Sequence, residues 1–370
     1  MHTSRPLVRV VDATLVDEGG PARMVVTGLP RAGEVADKVA SARGVYRFVG
    51  DRLHVQAGPD RLIDAAGRVG GATLASLLRA AIDPAVAAWC GDPPDLDTPG
   101  GVLPTGSRPV VLGVLNVTPD SFSDGGRHDE PSAAVDAGLA MVAAGADVID
   151  VGGESTRPGA EPVPVAEELE RILPVVTGLA GEGAIVSIDT TKAAVARAAV
   201  DAGAAIVNDV SAGRFDPELL TTVAELEVPY LAMHLRGEPR TMQHDPRYDD
   251  VVAEVFEYLA ERLGALAAAG VPAERVAIDP GIGFGKTVAH NLTLLRRLRE
   301  FTSLGRPVLI GASRKGFIGH LAEVPEPTDR LAGSVAVAAV AVASGARLVR
   351  VHDVAETVQA VRVAHAIATA

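Results

Sequence analysis

Polar side chains stand at the ends of short apolar runs throughout the second part of the chain. Asn116, the stretch 152–157, Asp189, the pair Asn208 and Asp209, His234, Asp279, and the triplet Ser313, Arg314 and Lys315 each follow such a run, and the last run ends with Arg350 inside it and His352 and Asp353 after it. Asp189, Asn208 and Asp279 together offer carboxylate acceptors and an amide that both donates and accepts. That set suits the edge of a planar heterocycle on which N–H and N groups alternate, as in a guanidine-like or pterin-like ring. Arg314, Lys315, Arg350 and His352 are four potential cations for an anionic group, with Arg matching phosphate oxygens through two parallel bonds. One Asp or Asn at a strand end means little, because those residues also cap the helix that follows. Eight such ends meeting on one rim weaken that reading.

The elements that must bring these residues together are legible as periodicity. Apolar runs at 110–115, 148–151, 185–188, 205–207, 230–233, 276–278, 308–310 and 348–351 read as eight buried strands. Helical spacing lies between them, for example at 132–144, 165–179, 191–202, 249–269 and 331–343. Eight β-then-α units over about 260 residues predict an α/β fold of the (β/α)8 TIM-barrel type, whose active site forms at the C-terminal ends of the strands. A doubly wound sheet less often needs eight equivalent strands. Ala-Gly-Ala or a near variant recurs before strands, at 144–146, 202–204 and 344–346, where glycine is expected to end the preceding helix in a left-handed conformation.

Three loops stand out. Residues 116–126 (Asn-Val-Thr-Pro-Asp-Ser-Phe-Ser-Asp-Gly-Gly) follow the first strand and have the composition of a lid, with Phe122 and Asp124 available to a substrate. Residues 155–159 (Ser-Thr-Arg-Pro-Gly) have the same character, and Arg157 is within reach of the first loop. Residues 281–286 (Gly-Ile-Gly-Phe-Gly-Lys) are no nucleotide P-loop, since the GxxxxGK[ST] spacing is missing. Their small residues let a ligand approach the backbone beside Asp279, with Phe284 as an apolar wall.

Composition sets outer bounds. The 370 residues are 48% hydrophobic and 22% charged, which fits a globular chain with one large domain and an appendage. Aromatics make up only 3%, so aliphatic side chains must fill the core. A net charge of −13 argues against nucleic acid and against a polybasic membrane contact, so an anionic ligand needs a locally cationic pocket. Cys90 is the single cysteine, which excludes an intramolecular disulfide and a multi-cysteine zinc site and suits the cytoplasm. No secretory signal or membrane-length apolar stretch is visible, so no membrane partner is expected. Residues 1–92 are expected to form a small N-terminal α/β or α+β domain without evident chemistry, with strands at 7–11 and 24–27 and helices at 34–42 and 72–90. Residues 93–107, rich in Pro, Gly and Asp, read as a linker, and 108–370 as the barrel.

Over residues 108–368 the sequence resembles the dihydropteroate synthases, the folate-pathway members of the pterin-binding barrel family. The resemblance rests on residues 116–126, 153–159 (Gly-Glu-Ser-Thr-Arg-Pro-Gly), 187–190 (Ser-Ile-Asp-Thr), 208–211 (Asn-Asp-Val-Ser), 279–286, 313–315 (Ser-Arg-Lys) and 350–352 (Arg-Val-His). It implies a transferase that joins 6-hydroxymethyl-7,8-dihydropterin pyrophosphate to p-aminobenzoate in an SN1-like reaction with Mg2+. It further implies that Asp189, Asn208, Asp279, Lys315, Met233 and Gly283 hold the pterin. Asn116 would bind Mg2+ on the pyrophosphate, and Arg350 and His352 the pyrophosphate oxygens. Phe122, Thr156, Pro158, Phe284 and Ser313 would frame p-aminobenzoate, the target site of sulfonamides, while Asp124, Arg157 and Lys315 would act in catalysis. A homodimer through barrel helices is implied as well. Gly316 and Phe317 stand after Lys315 where many relatives carry a bulkier or polar residue first. The alternatives are a methyl-tetrahydrofolate-binding methyltransferase, which would lack the first loop and the Ser-Arg-Lys segment, and a non-catalytic pterin-binding paralogue.

Overall fold

The structure, a computed structural model, describes residues 7–12, 22–27, 45–49, 52–57, 59–117, 130–155 and 161–370. The chain divides into two compact units, one made of residues 1–93 with 297–306 and the other of 94–296 with 307–370.

In the first unit, strands β1 (Leu7–Asp12), β2 (Ala22–Thr27), β3 (Val45–Val49) and β4 (Arg52–Ala57) form an antiparallel sheet in the order β1-β2-β4-β3. The helix Pro59–Cys90 packs Leu62, Leu78, Ile82 and Trp89 against Val8, Val10, Met24 and Val55 of that sheet. Alternation along the strands (Val8 and Val10, Met24 and Val26) supplies the apolar face. The helix begins thirteen residues before the expected start at 72, and the expected helix at 34–42 lies outside the described residues. Residues 297–306, assigned from sequence to the barrel, belong to this unit. Arg9 makes a buried ion pair with Glu300 at 3.1 Å, and the Val10 amide donates to Ser303 Oγ.

The second unit is the barrel expected from the sequence. Among the described residues, eight parallel strands follow one another around it: β7 (Val110–Asn116), β8 (Val148–Gly152), β9 (Val186–Asp189), β10 (Ile206–Asp209), β11 (Tyr230–Met233), β12 (Val276–Asp279), β13 (Leu309–Ile310) and β14 (Leu348–Val351). A bridge between Ile278 and Val308 closes the ring. Helices including Glu130–Ala143, Val165–Gly181, Val251–Ala268 and Val354–Thr369 surround it. Side chains of one parity on the strands, such as Val111, Ile149, Ile188, Val207 and Val349, join the helices in the outer core. Those of the other parity, including Leu112, Val148, Ile206, Leu231 and Leu348, fill the barrel floor.

The segment 93–107, read as a linker, is folded instead. β5 (Leu96–Thr98) and β6 (Gly101–Leu103) pair as a hairpin, and Leu96 and Leu103 are buried in the apolar cluster of the barrel floor. Pro and Gly there make the turn, and the ladder partners Leu96 and Leu103 are the residues the hairpin buries.

Candidate active site

Inward parity continues upward from the apolar floor and changes character. On β7 the inward column runs Val110, Leu112, Val114, Asn116; on β8 it runs Val148, Asp150, Gly152; on β9 it ends on Asp189 and on β10 on Asn208. Asn116, Gly152, Asp189 and Asn208 are successive ladder partners across four strands, so one row of the sheet carries them side by side. Met233 and Asp279 are partners in the same way across β11 and β12. The barrel interior is thus apolar below and polar at its C-terminal mouth.

Arg350 rises from the floor level of β14, where it is the ladder partner of Leu112, and spans the interior. Its Nη2 donates to Asp189 Oδ2 at 2.7 Å and its Nε to Asp150 Oδ2. Asn208 Nδ2 donates to the same Asp150 carboxylate at 3.2 Å, which aims the amide. Asp150 was not singled out in the sequence because it lies inside an apolar run, Val-Ile-Asp-Val, instead of after it. An acid within a run that otherwise reads as fully buried was the available signal. Opposed by two carboxylates, the Arg350 guanidinium is held above its usual pKa range despite burial.

Burial pushes the Asp189 carboxyl up to about 7, against the pull of Arg350 and with the repulsion of Asp150, Asp209 and Glu168. Burial likewise pushes Asp279 up to about 6, against its bond from the Gly281 amide and the charges of Lys315, Lys286 and Arg350. Both values lie above the ordinary 3.8, so the folded state binds these protons more tightly than the unfolded chain. Their contribution to stability is therefore complete below about pH 4 and is lost as pH rises through 6 and 7. In thermal unfolding of the ligand-free protein, Asp189→Asn is expected to raise the midpoint at pH 8 and to leave it little changed at pH 4.5. Equal shifts at both pH values would contradict this.

The capping alternative applies to some strand ends and not to others. Asp209 is consumed locally, accepting from the Ser211 and Gly213 amides and from Tyr230 Oη. Asp279 accepts from the Gly281 amide with Oδ1 at 2.7 Å, while Oδ2 faces the interior beside Gly311 and Arg350. Asp189 and Asn208 spend their side chains on the interior network.

The turn after β12 completes the mouth. Gly281 has φ +71, and a Cβ there would lie 1.9 Å from the His234 carbonyl oxygen, so only glycine fits. The Lys315 stem crosses Gly283, where a Cβ would meet its Cδ at 2.9 Å, and the ammonium lies 3.8 Å from the centroid of the Phe284 ring. Phe284 in turn packs on the cluster of Val210, Met233, Leu235 and Met242. Ser313 Oγ is 3.1 Å from His352 Nδ1 and accepts from the His352 amide, joining the ends of β13 and β14. Arg314, counted above among the four cations, is instead paired with Asp353 through Nη2 at 2.5 Å and Nε at 3.1 Å. Its left-handed backbone, φ 58, turns it away while Lys315 faces Gly283.

The structure therefore gathers Asn116, Asp189, Asn208, Met233, Asp279, Gly283, Phe284, Ser313, Lys315, Arg350 and His352 at one end of the barrel. Phe122, Asp124, Thr156, Arg157 and Pro158 lie outside the described residues. Besides Asp150, sequence reasoning left the buried pair Lys286 and His234 without a role, although both residues had been noted in passing.

The family model described as "Pterin binding enzyme" matches residues 112–352. The dihydropteroate synthase of Escherichia coli strain K12 is 49% identical over 265 residues, which cover 71% of this chain and 93% of that protein. The structure of Xanthomonas albilineans dihydropteroate synthase with 4-aminobenzoic acid superposes with a TM-score of 0.71 at 50% identity, covering 75% of this chain and 99% of that one. A second structure of the Xanthomonas albilineans enzyme, in complex with 7,8-dihydropteroate, gives a TM-score of 0.68 at 47% identity, with 75% and 100% covered. With the rim geometry and the sequence agreeing over the whole barrel, the chain belongs to the pterin-binding enzyme family and, within it, to the dihydropteroate synthases.

Proposed function

We propose that the chain condenses 6-hydroxymethyl-7,8-dihydropterin pyrophosphate with p-aminobenzoate, releasing 7,8-dihydropteroate and pyrophosphate. The observation that carries this reading is the joining of acidic and amide groups (Asp189, Asn208, Asp279) to cationic ones (Lys315, Arg350) at one mouth, with Phe284 and Met233 as an apolar wall. Asp189, Asn208 and Asp279 hold the pterin edge, and Lys315 approaches the ring across Gly283. Arg350 and His352 take the pyrophosphate oxygens, and Phe284 and Ser313 border the p-aminobenzoate.

The reaction breaks the bond from the pterin methylene carbon to the pyrophosphate oxygen and forms a bond from that carbon to the arylamine nitrogen, which loses a proton. The leaving group needs its charge neutralised, and the developing cation must be kept from water. Among the described residues no group of three or more His, Cys, Asp and Glu could cage a metal ion. Asn116, an oxygen ligand in the ladder row next to Gly152 and Asp189, fits Mg2+ held mainly by substrate phosphates and water. Mg2+ bound there would supply charge neutralisation on the pyrophosphate. The arylamine is already a neutral nucleophile, so no strong general base is required.

A pyrophosphate-release assay with each substrate omitted in turn tests the reading. Release is expected only with both substrates and Mg2+ present, and its occurrence without p-aminobenzoate would reduce the activity to hydrolysis. Tight methyl-tetrahydrofolate binding with no release under any condition would instead support the methyltransferase alternative.

The homodimer is assigned to the groove between helices Leu331–Ala343 and Val354–Thr369, lined by Ala339, Ala360, Val363 and Ile367. Val363 and Ile367 are 61% and 73% exposed there, more than a surface facing only water favours in one place. Ile367→Asp with Val363→Asp is expected to halve the mass measured by light scattering; an unchanged mass would move the interface elsewhere. The single exposed Cys90 agrees with a reducing cytoplasm, and among the described residues no helix is long and apolar enough to cross a membrane.

A further inference from the structure

Lys286 carries an unusual burden for a residue that touches no ligand in the reading above. Its side chain is buried, and the partners of its Nζ are a ring nitrogen and two carbonyl oxygens, not a carboxylate. Nζ lies 2.9 Å from His234 Nδ1, 3.0 Å from the Phe284 carbonyl and 3.5 Å from the His234 carbonyl. Three partners surround it: the two carbonyls accept, and His234 Nδ1 accepts from a charged ammonium or donates to a neutral amine according to its tautomer. A charged Lys286 has no lone pair, so in that state His234 Nδ1 accepts and the neutral ring carries its proton on Nε2. That agrees with His234 being held well below its usual range, first by burial and then by Lys286, Arg236 and Arg214.

Burying such a charge without a paired carboxylate is costly, and an apolar side chain of similar length would pack there without that penalty. Burial does push the Lys286 pKa down, against the attraction of Asp279 and with help from Lys315 and Arg236. The same residue holds the turn at the mouth. The carbonyls of Gly283, Phe284 and Gly285 are taken by Gln243, Lys286 and Tyr248 respectively, and Phe284 carries the ring on which Lys315 rests.

We propose that Lys286 is a positioning residue of this site: held by His234 and the Phe284 carbonyl, it fixes the turn that bears Phe284 and, as an ammonium, supplies positive charge that readies Asp279 for the pterin edge. The proposal rests on the reading of Asp279 as a pterin-binding group. It predicts an uncommon combination, because the charge costs stability while it serves binding. The groups acting on Asp279 are Lys315, Lys286, Arg350 and the Gly281 amide, all of which lower its pKa against burial. Removing Lys286 therefore raises the pH at which Asp279 ionises.

Calorimetric titration with 7,8-dihydropterin, without Mg2+ or pyrophosphate, on wild type, Lys286→Met and Lys286→Gln across pH 6 to 9 tests this, alongside thermal unfolding of each. Lys286→Met is expected to unfold at the same or a higher temperature and to bind at least ~10-fold more weakly at pH 6.5, a loss equal to one unit of pH. Its affinity should recover toward that of wild type near pH 9, where Asp279 is ionised without assistance. Unchanged affinity at every pH would overturn the proposal, as would a lower unfolding temperature with weak binding that pH does not restore, the mark of a purely structural role. Lys286→Gln separates these outcomes should Lys286→Met fail to fold. Failure of the wild type to bind 7,8-dihydropterin would overturn the pterin reading itself.

Discussion

Lys315→Ala is expected to lower turnover by about 10²- to 10³-fold while the far-ultraviolet circular dichroism spectrum stays that of the wild type. The size is that of a preorganised charge removed from a site where charge develops. The spectrum should hold because the Lys315 side chain supports no core element: it crosses Gly283 and lies over the Phe284 ring, half-exposed at the start of the helix Gly316–Ala322. Asp189→Ala is expected to reach a comparable loss by another route, since it removes one of two anchors of Arg350 and, on the proposed function, an acceptor for the pterin edge. Arg350 retains Asp150 in that variant, so the barrel remains closed. Steady-state measurements with both substrates decide the matter. Turnover within tenfold of wild type in both variants would remove these residues from the chemistry.

Asp150→Ala is expected to be the most destabilising single change in the barrel interior, by about 3–5 kcal/mol, the range found when one partner of a buried ion pair is removed. Asp150 is fully buried, and its carboxylate satisfies Arg350 Nε and the Asn208 amide together. Asp189 is already engaged by Arg350 Nη2, so it is no substitute for the acceptor that Arg350 Nε and the Asn208 amide lose. Asp150→Asn keeps one acceptor for Arg350 and should lose about half as much. It also places an amide donor against Asn208 Nδ2, so the Asn208 amide is expected to turn over and to weaken pterin binding beyond what the stability loss accounts for. Urea unfolding and dihydropterin titration of the two variants check both points. A loss below about 1 kcal/mol for Asp150→Ala would mean that Arg350 finds other partners.

The two large effects come from residues of unequal legibility. Asp189 stands directly after one apolar run and Lys315 in the loop that follows another, and a barrel puts both positions on one rim, so their proximity follows from counting strands. Asp150 is two residues further down its strand. Its importance depends on Arg350 reaching back from β14, two hundred positions later in the chain, which no local pattern encodes. Arg314 shows the opposite error. In the sequence it is one of four candidate cations for an anion, but a left-handed backbone at one residue points it to Asp353.

The hairpin Leu96–Leu103 makes the same point for the fold. Its Pro and Gly content reads as linker because turn residues look alike whether the turn is solvated or seals a barrel. The extra length of the helix Pro59–Cys90 was hidden by Gly67, Gly70 and Gly71, whose low helix propensity is outweighed by the packing of Leu62 and Ile63 on the sheet.

What the sequence determined by itself is the barrel, its strand count, and the set of residues at its mouth, because alternation along strands and the position after each run are local and periodic properties. What only the tertiary structure decided is how those residues are spent: Arg350 between Asp150 and Asp189, Arg314 on Asp353, Lys286 on His234. Pairing between charges is settled by distance, burial and backbone direction across elements far apart in the chain, and in a low-dielectric interior those few ångströms determine whether a charge serves a ligand or a neighbour.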